Sequence, residues 1–258
     1  MTMPRTRFNR TRASGPAYYA QPRFLKSPAM RDWWTLLHPP YTLWHLSYVV
    51  IGACLVGPVS VVRLVASLGA FFLAVGVGAH ALDELHGRPL GTLIPARHLI
   101  MASTIAITGA VALGILGMVK VSPYLGIFIG VGVLLAVGYN LELFGGRLHT
   151  DATFALGWGA FPLLTAYFAE HGRLSIGSIV AALFATLLSQ AQRQLSSPAR
   201  ELRRKTTSVE GSVIRVDGSI IPIDKESMLL PLELALRSLC WAVVALAIAL
   251  AALRFHSG

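Results

Sequence analysis

At the end of a long apolar run, between Ala79 and His98, the chain places His80, Asp83, Glu84, His86 and Arg88 close together. On a helix, His80, Asp83 and Glu84 stand at i, i+3 and i+4 and share a face. Two carboxylates beside an imidazole could hold a divalent cation. Mg²⁺ suits a shell in which Asp83 and Glu84 give oxygens and a substrate phosphate completes the coordination. Zinc would instead recruit His80 and His86, and Arg88 just beyond suits a phosphate. Ionisable groups at membrane depth are costly, which makes this stretch a candidate site. The bland alternative is a helix end entering the headgroup layer, although acids are disfavoured there by the helix dipole.

A second polar cluster runs from Ser189 to Arg204, with Gln190, Gln192, Arg193, Gln194, Ser196, Ser197, Arg200 and Arg203 in it. Gln190, Arg193 and Gln194 share a helical face and could bind a phosphate or a polar head group. They cannot ligate Mg²⁺ as carboxylates do. The bland reading is a basic juxtamembrane helix touching lipid. A third feature is Tyr139-Asn140 with Glu142, followed by Arg147 and Asp151. Tyr139 and Asn140 could donate hydrogen bonds into a polar cavity; the alternative is an interfacial helix end and a turn. His45 stands inside an apolar run and should face the bundle interior, where packing with a hydrogen bond is its ordinary role. No G-x-S-x-G, Walker A, H-E-x-x-H or C-x-x-C is present. The last apolar run holds no lysine, which excludes a retinal Schiff base.

The elements that must carry these residues are membrane helices. Of 258 residues, 54% are hydrophobic and only 13% charged, and the mean hydropathy is +0.62. A soluble domain carries about 25% charge. The expected fold is all-α, a polytopic membrane helix bundle of about seven transmembrane helices. Apolar stretches near 41–57, 61–82, 98–118, 122–143, 152–169, 174–192 and 229–253 are of the length a bilayer requires. Residues 1–40 read as a basic, largely disordered cytoplasmic arm on anionic lipid. Residues 41–192 form a six-helix bundle, and 229–258 the last span and a short tail. Between them, 193–228 is a cytoplasmic loop. Its start continues the sixth helix and breaks near Pro198, and the alternation around Asp217-Gly218 signals a β-hairpin.

The net charge of +10 is explained by orientation. With the N-terminus cytoplasmic, the inner side collects Arg88, Arg97, Arg147, Arg193 and the basic residues of 193–228. The outer side receives only Arg63, Lys120, Arg173 and Arg254. That is the positive-inside distribution of a multi-pass protein, as in a bacterial-type plasma membrane, and it removes nucleic acid as a partner. Cys54 and Cys240 lie in apolar runs and indicate neither a disulfide framework nor a zinc cluster.

The layout resembles the UbiA superfamily of intramembrane prenyltransferases. H-P-P-Y-T-L-W-H-L-S-Y-V-V-I-G-A (38–53) is similar to that family's opening span. Asp83 followed by G-R-P-L-G-T (87–92) resembles its aspartate-rich first motif and the stretch after it. Y-N-L-E-L-F (139–144) and the helix from Phe154 to Gly172 are similar to its fourth and fifth helices. The resemblance implies a bundle with a cavity open to the inner face and to lipid. There Mg²⁺ on two aspartate-rich motifs grips a prenyl diphosphate, and the prenyl group passes to a lipophilic or aromatic acceptor. It implies Asp83 and Glu84 as catalytic and metal-holding residues, with His80 a further ligand. Arg88, Tyr139, Asn140, Gln190, Arg193 and Gln194 would contact substrate. The pattern departs from the family where Ala79 and Gly87 flank Asp83 and where Gln190 and Gln194 replace the second motif's aspartates. Two further readings therefore stand beside transfer. One is a non-catalytic lipid-binding or scaffold protein that kept the fold; the other is a different metal-dependent enzyme using His80, Asp83, Glu84 and His86.

Overall fold

The computed structural model describes residues 15–20, 22 and 24–255. Its helices are α1 (Pro28–Leu36), α2 (Pro39–Cys54), α3 (Val61–Leu85), α4 (Ala96–Lys120), α5 (Leu125–Tyr139), α6 (Asp151–His171), α7 (Ile176–Arg204) and α8 (Lys225–Phe255). Among the described residues one hairpin, β1 (Glu210–Ile214) and β2 (Ile220–Asp224), interrupts them; Ile214 pairs with Ile220 and Glu210 with Asp224. The fold is thus a helical bundle with one two-stranded appendage.

Among the described residues four helices, α3, α4, α6 and α8, are long and apolar enough to cross a membrane. The other three of the seven expected spans fall short on that measure. α2 has 16 residues, α5 is a shorter apolar helix, and the second half of α7 is polar. Apolar side chains such as Val62, Ile105, Ile127, Leu183 and Ile248 point outward, as a lipid-facing surface requires.

Local chemistry sets the helix ends. α2 opens on two prolines, whose fixed φ suits a first turn. α7 opens on a reciprocal cap, the Ser178 N–H donating to Ser175 Oγ at 3.1 Å and the Ser175 N–H to Ser178 Oγ at 2.9 Å. α2 is the central helix, packed along α8 and α6. Trp44, Tyr48, Ile51, Leu163, Ala185, Cys240 and Val243 share one core cluster. Gly52 makes the tightest approach: a Cβ there would lie 2.2 Å from the Leu163 carbonyl oxygen, so only glycine permits this contact.

Several expectations are corrected. α1 occupies residues assigned to the disordered arm, and Gly15 to Ala20 are ordered against the bundle; residues 1–14 lie outside those described. α7 does not break at Pro198 but runs through it to Arg204. Proline removes one hydrogen bond from a helix interior. Here packing holds the helix together, because Ala199 and Leu202 bury against Leu229 and Leu236 of α8. Arg203 also forms a buried ion pair with Glu233. Finally, α8 starts at Lys225, four residues before the expected last span.

Candidate functional site

Three helices depart from α geometry at one point each. Wider π-helical turns occupy Phe72–Ala79 in α3, Leu134–Tyr139 in α5 and Leu156–Ala160 in α6. Such turns recur at functional sites because they re-aim the side chains around them. Here they border His80 and Asp83, Tyr139 and Asn140, and contain Trp158. All five line one cavity of about 550 Å³.

The opposite wall is α7. Ser189, Gln192, Arg193, Ser196, Arg200 and Arg204 face the cavity, a stripe with the three-to-four spacing of one helix face. Arg193 Nε donates to Asp151 Oδ1 at 2.7 Å and its guanidinium lies over the Phe154 ring. Arg203 is neutralised by Glu233, with Nη2 donating at 2.8 Å. Arg200 donates to Ser197 Oγ at 3.2 Å, and Arg204 Nε to the Pro16 carbonyl at 3.2 Å. Among the described residues, neither Arg200 nor Arg204 has a carboxylate partner. These two cations, four residues apart on one face, form a positive wall across the cavity that the Asp83 carboxylate also lines.

The segment Pro16 to Tyr19 closes one side of this space. Trp34 Nε1 donates to the Tyr19 carbonyl at 3.1 Å, the Arg237 guanidinium lies 4.6 Å from the Tyr18 ring centre, and the Tyr19 hydroxyl contacts His38 Nδ1. His38 in turn packs on His80, ring centres 4.6 Å apart. Burial pushes the Tyr19 hydroxyl well above its ordinary range and holds His38 well below its own. His80, Arg204 and Arg200 lower His38 further.

The predicted site residues divide. Asp83, His80, Tyr139, Asn140 and Arg193 meet in the cavity. Glu84 does not. It is fully buried, and its carboxylate accepts from the Leu90 N–H at 2.9 Å, the Thr92 N–H at 2.8 Å and the Thr92 hydroxyl at 2.9 Å. Arg88, at a left-handed φ of 53°, donates to the Ile94 and Thr92 carbonyls at 2.7 and 3.3 Å. Glu84 and Arg88 therefore build the loop after α3 rather than a ligand site. Gln190 and Gln194 are exposed, because the cavity face of α7 is centred on Ser189, Arg193, Ser196 and Arg200. At about 100° per residue, both glutamines fall beyond its edge.

An Asp83–Glu84 carboxylate pair for Mg²⁺ does not fit this arrangement, since Glu84's oxygens are committed elsewhere. His86 lies 3.9 Å from Glu142, itself 3.8 Å from His149. No group of three His, Cys, Asp or Glu residues is placed to hold a metal ion among the described residues. His38, Tyr41 and His149 are wall residues that the sequence does not mark, while Arg200 and Arg204 belong to the expected second polar cluster. The i, i+4 recurrence of Ser189, Arg193, Ser196–Ser197, Arg200 and Arg204 marks which face of that cluster turns inward.

An apolar groove between α3, α4, α5 and α6 lies beside the polar cavity, and Val75 and Trp158 belong to the walls of both. Its other walls include Phe71, Ile107, Leu135 and Phe161. Comparison with known protein families, with characterised proteins and with solved structures finds no match.

Proposed function

We propose that this chain is a multi-pass membrane protein with a UbiA-like layout and a cytoplasmic N-terminus. Its cavity binds the anionic head of an isoprenoid or similar membrane lipid. The observation that carries the reading is the pair Arg200 and Arg204, lacking carboxylate partners, on a cavity that shares walls with an apolar groove. Charge-assisted hydrogen bonds from guanidinium groups are the usual protein answer to phosphate, and the groove suits an apolar tail. Binding alone accounts for these features, so a lipid-binding or scaffold role suffices.

The test uses the full chain in nanodiscs, titrated with farnesyl diphosphate and with inorganic diphosphate. Arg200→Gln/Arg204→Gln should weaken both by about tenfold or more. Unchanged affinity in the double variant would refute the reading.

Prenyl transfer remains a second reading, favoured by Asp83, whose carboxylate lines the cavity and makes no hydrogen bond to the described residues. In such a reaction the allylic C–O bond breaks, diphosphate leaves with the electron pair, and an acceptor nucleophile bonds to the carbon. Asp83 would take the acceptor's proton. Asp83→Asn should keep prenyl diphosphate binding and lose turnover; a variant with full turnover would leave only the binding role.

A further inference from the structure

Two polar atoms in the cavity wall are buried without a partner. His45 is 3% exposed and Tyr139 5%, and both line the cavity. Neither His45 Nε2 nor the Tyr139 hydroxyl has a hydrogen-bond partner among the described residues. Buried polar groups are nearly always satisfied, so two such atoms in one wall call for an explanation.

Their chemistry is complementary. His45 Nδ1 lies 3.2 Å from the Trp158 carbonyl oxygen, which can only accept, so Nδ1 carries the hydrogen in the neutral ring. Nε2 is then a bare lone pair that needs a donor. The Tyr139 hydroxyl can donate. Both residues are anchored at Trp158: His45 by that hydrogen bond, Tyr139 by ring packing with centres 4.6 Å apart. The Tyr139 ring is also stacked on His149 at 4.3 Å. Trp158 in turn belongs to the walls of both the polar cavity and the apolar groove.

We infer that His45 and Tyr139 form a subsite for a hydroxyl group carried on an otherwise apolar ligand, that is, a lipophilic alcohol. A hydroxyl donates to His45 Nε2 and accepts from Tyr139 at once. A carbonyl or carboxylate offers no hydrogen to Nε2, and an ammonium offers no lone pair to Tyr139. On the groove side of Trp158 the wall is aromatic and apolar, with Phe71 packed on His45 at 5.4 Å, so a ligand that extends from the subsite into the groove carries an apolar body. This subsite rests on the lipid-binding reading of the cavity but uses none of the residues that carry its charge.

The probes are dodecanol with a terminal bromine and the methyl ether of the same molecule, titrated against the full chain in nanodiscs by tryptophan quenching. Wild type should prefer the alcohol by about tenfold, the worth of one or two buried hydrogen bonds. Tyr139→Phe removes only the hydroxyl. His45→Asn keeps a donor for the Trp158 carbonyl and removes the Nε2 lone pair. Each variant should lose most of the preference with its ether affinity unchanged, which separates loss of the subsite from loss of fold. Equal affinity for alcohol and ether in wild type, or a preference that survives both variants, overturns the subsite. Inorganic diphosphate is titrated in wild type and in His45→Asn. Wild-type diphosphate affinity alongside a lost alcohol preference supports the subsite, whereas absent diphosphate binding in wild type would count against the anion reading alone.

Discussion

Replacing Glu84 by glutamine separates the two roles open to this residue, ligand holder and loop builder. In the fold, three donors converge on its two oxygens at 2.8 to 2.9 Å in a fully buried position. Glutamine keeps the shape but has one oxygen. If that oxygen stays on Thr92, the new NH₂ meets the Leu90 N–H, donor against donor. Flipping the amide moves the conflict to Thr92. A hydrogen bond to a charged group contributes about 1.5–3 kcal/mol and a neutral one about 1, while an orphaned buried donor costs about 1–3. Losing charge assistance on two bonds and orphaning one donor therefore sums to roughly 3–5 kcal/mol. For a chain of this size that corresponds to a fall of roughly 6–20 °C in the unfolding midpoint. The assay is thermal unfolding in detergent, with hydrogen exchange across residues 86–95 as the local readout. The expected result is a lowered midpoint, faster exchange of the Leu90 and Thr92 amides, and diphosphate affinity near wild type in the protein that remains folded. An unchanged midpoint with lost diphosphate binding would refute the reasoning and return Glu84 to the ligand site.

Two further outcomes follow from packing and from protonation. Gly52→Ala would push a methyl group into the Leu163 carbonyl and force α2 away from α6, costing about 2–3 kcal/mol; a midpoint within error of wild type would contradict the contact. Acid should release the segment Pro16 to Tyr19. His38 is held neutral by burial, its pKa well below the ordinary 6.5, and undocking Tyr19 lets it take up a proton. The docked state's advantage is therefore complete above about pH 6.5 and is lost as pH falls toward the depressed value. Limited proteolysis within residues 15–27 should quicken between pH 7 and pH 5 in wild type and stay flat in His38→Gln; a flat wild-type profile would count against the coupling.

The membrane character and the order of the helices were legible because a bilayer demands long apolar runs, and the runs at 61–82, 98–118, 152–169 and 229–253 match α3, α4, α6 and α8. The hairpin's period-two alternation around Asp217-Gly218 is equally visible in the chain. Which acid faces the cavity was not legible. Asp83 and Glu84 are neighbours with the same chemistry, and helical spacing puts both near one face. The distinction arises from the loop at 90–92 folding back to cap Glu84, a contact that depends on tertiary structure. The α7 face was missed for a different reason. Gln190, Arg193 and Gln194 share one face and the serine–arginine stripe shares another that overlaps it at Arg193, and only the three-to-four spacing of the stripe marks the side turned inward. Tyr19 is distant from the cavity residues in the chain, and only the docking of the first described residues brings it in.

The π-helical turns at Phe72–Ala79, Leu134–Tyr139 and Leu156–Ala160 carry a consequence for how related chains should be aligned. A π turn accommodates one residue more than the α turn it replaces, and one residue is about 100° of rotation. A relative lacking the extra residue in α3 could keep every amino-acid type from His80 to Leu85 and still present a different one to the cavity. Whether Asp83 or its neighbour looks inward is thus written in segment length as much as in residue identity. Alignments that slide these helices together without a gap would pair side chains that point in different directions.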